Sequence, residues 1–344
     1  GLQGIAQHII KSNSGQIHYM GRVEQRDSVS LLSWPGTSLS INFTGTGVSA
    51  TMSDELGQNY YNVIVDGKVS EIIHLQKAKT EYTLAAGLPA GKHTVELFKR
   101  TEWELGKTMF FNFALSAGAQ LLPPRATYKR KIEFFGNSIS CALGVEDTSR
   151  QDNQNPAYEN NYLSYAALTA RHFNAEYHCT AKSGIGMLVS WFPLVMPEMY
   201  NRLDGSDPAS KWDFSKYTPD LVVINLFQND AWLTKMPQHA QFKTRFGDKP
   251  PDEGRIVTAY RNFVRTIRKT YPKAKIICTL GNMDAVKTGA PWFGYIEKAV
   301  SSLNDKDIYL HAFVYKNTPG HPNVAEQQEM ADDLARFIET HIKW

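Results

Sequence analysis

At 344 residues the chain is too long for one ordinary hydrophobic core, and two domains are expected. With 42% hydrophobic, 12% aromatic and 21% charged residues, it cannot be a disordered chain. The 37 basic and 34 acidic residues leave a net charge of +3, too small an excess to point to nucleic acid as a partner.

Three cysteines, Cys141, Cys179 and Cys278, cannot all pair and lack metal-ligand spacing, so no disulfide framework is expected. No apolar run approaches the roughly 20 residues needed to span a bilayer. The start, Gly1-Leu2-Gln3-Gly4-Ile5, has no basic stretch followed by an apolar one. It does not read as a signal peptide, although it fits what remains after removal of one.

Up to about residue 120 the pattern has period two. Leu39, Ile41 and Phe43 alternate with Ser40 and Asn42. Val63 and Val65 lead into Asp66-Gly67, a hairpin turn, with Val69 beyond it. Thr94–Phe98 and Phe111–Leu115 continue the series, punctuated by glycines. Short strands with Gly-rich turns predict an all-β sandwich or jelly roll over residues 1–124. Leu121-Leu122-Pro123-Pro124-Arg125 is the expected boundary, because two prolines stiffen the chain and prevent regular pairing.

From residue 125 to 344 the pattern becomes β-α-β. Predicted strands are Lys131–Phe135, Ala175–Cys179, Leu221–Leu226, Lys275–Leu280 and Ile308–Phe313. The run Leu221-Val222-Val223-Ile224 fits a strand covered on both faces, as in a parallel sheet. Ile256, Val257, Tyr260, Phe263, Val264 and Ile267 share one helical face. A last helix is expected from Asn323, which has a capping-box spacing to Glu326.

In such sheets the loops after the strands carry function. The first predicted strand ends in Gly136-Asn137-Ser138-Ile139-Ser140, where Ser138 fits either an exposed nucleophile or a helix cap. It is not the G-x-S-x-G elbow, because position 140 is Ser. The second ends in Ser183-Gly184-Ile185-Gly186, where glycine lets a backbone N–H approach a ligand or simply makes a tight turn. The third ends in Phe227-Gln228-Asn229-Asp230, where Asn229 suits an oxyanion donor or a turn former. The fifth is followed by Gly320-His321-Pro322-Asn323, and histidine is the usual base for a hydroxyl nucleophile.

Ser, Gly, Asn and His in that order, each after a predicted strand, resemble the SGNH hydrolases, also called the GDSL family. In the front half, Trp34-Pro35-Gly36-Thr37-Ser38 and Asn59–Gly67 resemble the N-terminal domain of carbohydrate esterase family two, as Tyr165–Gly186 resembles its catalytic domain. The resemblance implies a jelly-roll sandwich followed by a three-layer α/β hydrolase domain with a parallel sheet. It implies a serine O-acetylesterase acting on xylan, glucomannan or their oligosaccharides, without cofactor or metal. Ser138 would be the nucleophile and His321 the base, with Ser138, Gly184 and Asn229 forming the oxyanion hole.

Three departures stand out. The common Gly-Asp-Ser reads Gly136-Asn137-Ser138, and the common Gly-Thr-Asn-Asp reads Phe227-Gln228-Asn229-Asp230, which is expected to change the cleft wall. The acid usually found three residues before the histidine is Thr318 here. By resemblance to family members that do without it, a Ser–His dyad is expected, with a main-chain carbonyl on His321; an acid from elsewhere in the chain is the other option. An aromatic can precede the histidine in this family, but Gly320 stands there. Trp191, Trp232 and Trp292 are therefore the candidate sugar platforms, Trp232 first, each with core packing as its alternative. A monomer acting on acetylated polymer outside the cell is expected, with a cytoplasmic role on imported oligosaccharides as the variant. The other functions compatible with the pattern are a general acyl or lipid esterase, and a carbohydrate-binding protein with an inactive hydrolase domain.

Overall fold

The computed structural model describes residues 7–344; the chain's opening residues 1–6, read above for a leader, lie outside the described part. The chain divides into two compact units, Gly1–Thr127 with Leu203–Ser206, and Tyr128–Arg202 with Asp207–Trp344.

The first unit is built from two antiparallel sheets of six strands each. One centres on Thr108–Leu115, paired with Val48–Asp54 and Val29–Leu32. The other centres on Lys92–Lys99, paired with Ser38–Thr44 and Tyr60–Val65. Alternation decides what faces inward. Leu39, Ile41 and Phe43 are buried in one core with Ala50, Met52, Phe110 and Phe113 of the opposite sheet. The Asp66-Gly67 turn joins Tyr60–Val65 to Lys68–His74 with both residues at positive φ, 51° and 81°. A two-residue hairpin of matching twist requires that conformation, which is why Asp-Gly stands there.

The apolar half of the expected boundary segment belongs to this unit: Gln120–Leu122 pairs with Ser38–Thr44 as an edge strand before the two prolines. The sequence gives no hint that residues 203–206 return to it. They are held by the Trp34 indole N–H, which donates to the Leu203 carbonyl at 2.7 Å, and by Lys107, 2.7 Å from Asp204. Gly205 has no alternative, since a Cβ would lie 2.6 Å from the Trp103 ring.

The second unit is a five-stranded, all-parallel sheet. Its spatial order is Ala175–Ala181, Arg130–Gly136, Leu221–Asn225, Lys275–Leu280, Ile308–Ala312. The predicted strands hold to within two residues at each end. Every residue of Leu221–Asn225 is buried, as a strand covered on both faces must be. Helix Glu253–Thr270 buries Ile256, Tyr260, Phe263, Val264 and Ile267. The terminal helix Val324–His341 begins at the expected capping box: Asn323 Oδ1 accepts from Glu326 N–H at 2.9 Å, and Glu326 returns the bond at 3.0 Å. No helix among the described residues is long and apolar enough to cross a membrane.

Candidate active site

Strand order locates the site. Arg130–Gly136 lies between the second and third strands of the unit, so the chain leaves it toward both sides; such a switch point opens a crevice at the carboxyl edge. Register then aligns the loops. Gly136 pairs with Ala181 on one side and with Asn225 on the other. Ser138, Gly184 and Asn229 follow these three residues by two, three and four positions, so all three emerge at one edge.

Ser138 opens a four-residue helix, Ser138–Cys141, and is 6% exposed. The helix cap is Asn137, whose Oδ1 accepts from Ile139 N–H at 3.1 Å, so the missing carboxylate of the common motif is replaced by an amide oxygen. One helical turn has no stability of its own. Buried side chains hold it: Gln327 donates to the Ile139 carbonyl at 2.9 Å, and Asn161 to the Ser140 carbonyl at 2.9 Å. Ser140 Oγ meets the Tyr165 hydroxyl at 2.7 Å, and Asn225 donates to that hydroxyl at 3.1 Å. Burial raises Tyr165 well above the usual phenol range, so it remains a neutral link. Gly136 is required because a Cβ there would lie 2.0 Å from Ser140 Oγ.

His321 Nε2 lies 2.9 Å from Ser138 Oγ. These two residues are 183 positions apart in the chain and meet in the fold. On the other side of the ring, a carboxylate replaces the main-chain carbonyl expected for a dyad. Asp152 Oδ1 accepts from His321 Nδ1 and from the His321 backbone N–H, both at 2.8 Å. The hydrogen bond from His321, above all, holds the Asp152 carboxyl down at about 2, against the opposing effect of partial burial. Asp152 was missed because nothing in a run such as Asp147-Thr148-Ser149-Arg150-Gln151-Asp152-Asn153 separates a partner of histidine from a turn former.

The loop after Ala181 wraps a buried acid. Asp230 is fully buried and accepts from the N–H groups of Met187, Leu188 and Val189 at 2.7–3.2 Å. Burial pushes its carboxyl up to about 6 against the pull of those donors. Gly184 sits at φ 83°, and a Cβ on it would press on Phe192 at 3.0 Å and Trp191 at 3.2 Å. Asn229 bridges to this loop: Nδ2 donates to the Ile185 carbonyl at 2.8 Å, and Oδ1 accepts from Trp191 Nε1 at 3.0 Å. The indole therefore fixes which way the amide faces.

The three tryptophans separate. Trp191 is 41% exposed and stands edge-on to His239, beside Asn229. Trp232 is half-buried, its N–H 3.2 Å from Asp284. Trp292 is only 4% exposed, packed against Phe227 and Tyr295, and has no face to offer a sugar. The expectation that Trp292 lines the site is thereby corrected. So is the expectation for Phe227 and Gln228, which are 0% and 2% exposed and point inward rather than forming a cleft wall. Phe227 holds φ 93°, a strained conformation for a bulky residue and one natural to the glycine of the common motif. Its packing on Tyr260 and Trp292 offsets that strain.

Comparison with known proteins agrees with this architecture. Residues 19–124 match the carbohydrate esterase 2 N-terminal family, and residues 134–338 the GDSL-like lipase/acylhydrolase family. The chain is 36% identical over 341 residues to the cellulase/esterase CelE of Acetivibrio thermocellus, across 95% of this chain but 40% of that longer protein. It is 26% identical over 346 residues to an acetylxylan esterase / glucomannan deacetylase of Cellvibrio japonicus, across 98% of this chain and 92% of that one. Among solved structures, a family two carbohydrate esterase from Clostridium thermocellum in complex with cellohexaose shares 34% identity at a TM-score of 0.84, covering 94% of this chain and 98% of that one. This chain belongs to carbohydrate esterase family two, within the GDSL-like hydrolases, and is by family a carboxylic ester hydrolase.

Proposed function

We propose that the protein is a serine O-acetylesterase that removes acetyl groups from plant polysaccharides such as xylan and glucomannan, or from their oligosaccharides, outside the cell. The observation that carries this reading is the 2.9 Å contact of Ser138 Oγ with His321 Nε2, at the sheet edge where Gly184 and Asn229 also emerge. The acetylxylan esterase / glucomannan deacetylase relative supports the choice of substrate.

In this mechanism His321 Nε2 takes the Ser138 proton as Oγ attacks the acetyl carbonyl. Negative charge then grows on the carbonyl oxygen. The Ser138 and Gly184 backbone N–H groups and Asn229 Nδ2 stabilise it; one Asn229 hydrogen goes to Ile185, leaving the second for the oxyanion. The sugar hydroxyl leaves with the proton from His321. Water, deprotonated by the same nitrogen, then releases acetate from Ser138. Trp191 and, less directly, Trp232 are the faces on which the sugar stacks.

The test is acetate release from acetylated glucomannan and acetylated xylan by the parent and by Ser138→Ala. The parent is expected to release acetate and the variant to be slower by about 10⁴-fold or more. A parent that releases none from either polymer rules out this substrate class.

A further inference from the structure

Two departures from the family pattern, the missing acid at Thr318 and the glycine before His321, have one structural explanation. We propose that Asp152 is the positioning carboxylate of His321, delivered by the 147–153 turn, and that Gly320 is the residue that lets this turn in. The proposal builds on the esterase reading of Ser138 and His321.

The turn is rigidly made. Asp147 accepts from Ser149 N–H and Oγ and from Asn153 N–H at 2.7–3.0 Å. Arg150 and Asp152 both adopt left-handed backbone, φ 61° and 53°, which reverses the chain and presents the Asp152 carboxylate to the ring. Arg150 clamps the turn to the histidine segment. Its guanidinium donates to the Pro319 carbonyl, to Thr318 Oγ1 at 2.8 Å and to Glu326 at 2.8 Å.

Position 318 therefore has a different task. Thr318 Oγ1 donates to Glu326 and accepts from Arg150 and Lys316, so it anchors the clamp and turns away from the imidazole. The carboxylate that orients the ring enters from 169 residues earlier in the chain. Because Asp152 accepts from Nδ1, the neutral ring carries its proton there and presents a lone pair at Nε2, where Ser138 sits.

Gly320 makes the approach possible. It holds φ 73°, and a Cβ on it would lie 3.0 Å from both the Arg150 carbonyl oxygen and Asp152 Oδ1. A large side chain at 320 and the Asp152 contact need the same space. An aromatic platform next to the histidine and this route for the acid exclude one another, and the stacking role passes to Trp191 across the site.

The test compares the parent, Asp152→Asn, Gly320→Trp and the double variant on an activated acetyl ester. Asparagine keeps the size but removes the charge, so kcat should fall by about 10²–10⁴-fold with KM within about twofold. Gly320→Trp should lose kcat alike, and the double variant should be no slower than the worse single one, because both remove one interaction. In parallel, ¹⁵N NMR of the His321 ring should show the Nδ1–H tautomer in the parent and its loss in Asp152→Asn. That readout needs no turnover, so an inactive parent with the tautomer change overturns the esterase reading and leaves the positioning role standing. Asp152→Asn with kcat within threefold of the parent and an unchanged tautomer overturns the proposal. Additive losses in the double variant overturn the exclusion between acid and aromatic.

Discussion

The two sides of the candidate active site are held by different means. On the Ser138 side, Ser138, Gly184 and Asn229 leave three neighbouring strands in register, and the groups behind them, Asn225, Tyr165, Gln327 and Asp230, are buried and hydrogen-bonded. On the histidine side no strand fixes the geometry. His321 is placed by two segments joined through Arg150, which reaches Thr318, Pro319 and Glu326, and Asp152 is 42% exposed. The first side is geometry imposed by a sheet. The second is a set of charges and turn residues that evolution can rearrange without touching the core, and here both the acid and the residue before the histidine differ from the family pattern.

The contrast implies that perturbing the sheet side costs more stability than perturbing the histidine side. Asn229→Ala should lower kcat by about 10²–10³-fold with KM little changed, since its amide is aligned before any charge develops. Steady-state kinetics on an acetyl ester reads this, and an unchanged kcat removes Asn229 from the oxyanion hole. Trp292→Ala should cost about 3–5 kcal/mol of stability in denaturant unfolding, because the indole is buried against the strained Phe227. Trp191→Ala, at an exposed ring, should leave stability within about 0.5 kcal/mol. It should raise KM for oligosaccharide by roughly fivefold, as expected from the loss of about 1 kcal/mol of stacking, and lower kcat as well, because the indole N–H that orients the Asn229 amide is lost.

At the exposed acid the effect on stability is small. Asp152 has its folded carboxyl depressed from 3.8 to about 2. It therefore contributes stability that is complete above pH 3.8 and lost as pH falls toward 2. With solvent screening the contribution is at most about 1 kcal/mol. The difference in melting temperature between the parent and Asp152→Asn should shrink as pH falls below 4. A difference that grows as pH falls from 4 to 2 contradicts the Asp152–His321 contact.

The same contrast explains what could be read from the chain itself. Leu221–Ile224 announces a doubly covered strand, Asp66-Gly67 a hairpin and Asn323 with Glu326 a cap, because each is a local rule of backbone and side chain. That Ser138, Gly184 and Asn229 share one sheet edge was legible because their order along the chain follows the order of strand ends. Asp152 was not, since its partner lies 169 residues away and its own surroundings look like any turn. Trp292 looked like a platform from its place after a strand; its burial comes from packing on Phe227 and Tyr295, and the contact with Phe227, far earlier in the chain, is set only by the fold. Leu203–Ser206 joined the first unit through Trp34 and Lys107, a pairing set only by the fold.

The central claim is that Ser138 and His321 form a working nucleophile and base. Treating the parent, Ser138→Ala and His321→Ala with a fluorophosphonate and mapping the adduct by mass spectrometry tests it most directly. One adduct per chain on Ser138, absent in Ser138→Ala and formed far more slowly in His321→Ala, is the expected result. No adduct on the parent, or one on a different serine, would contradict the account.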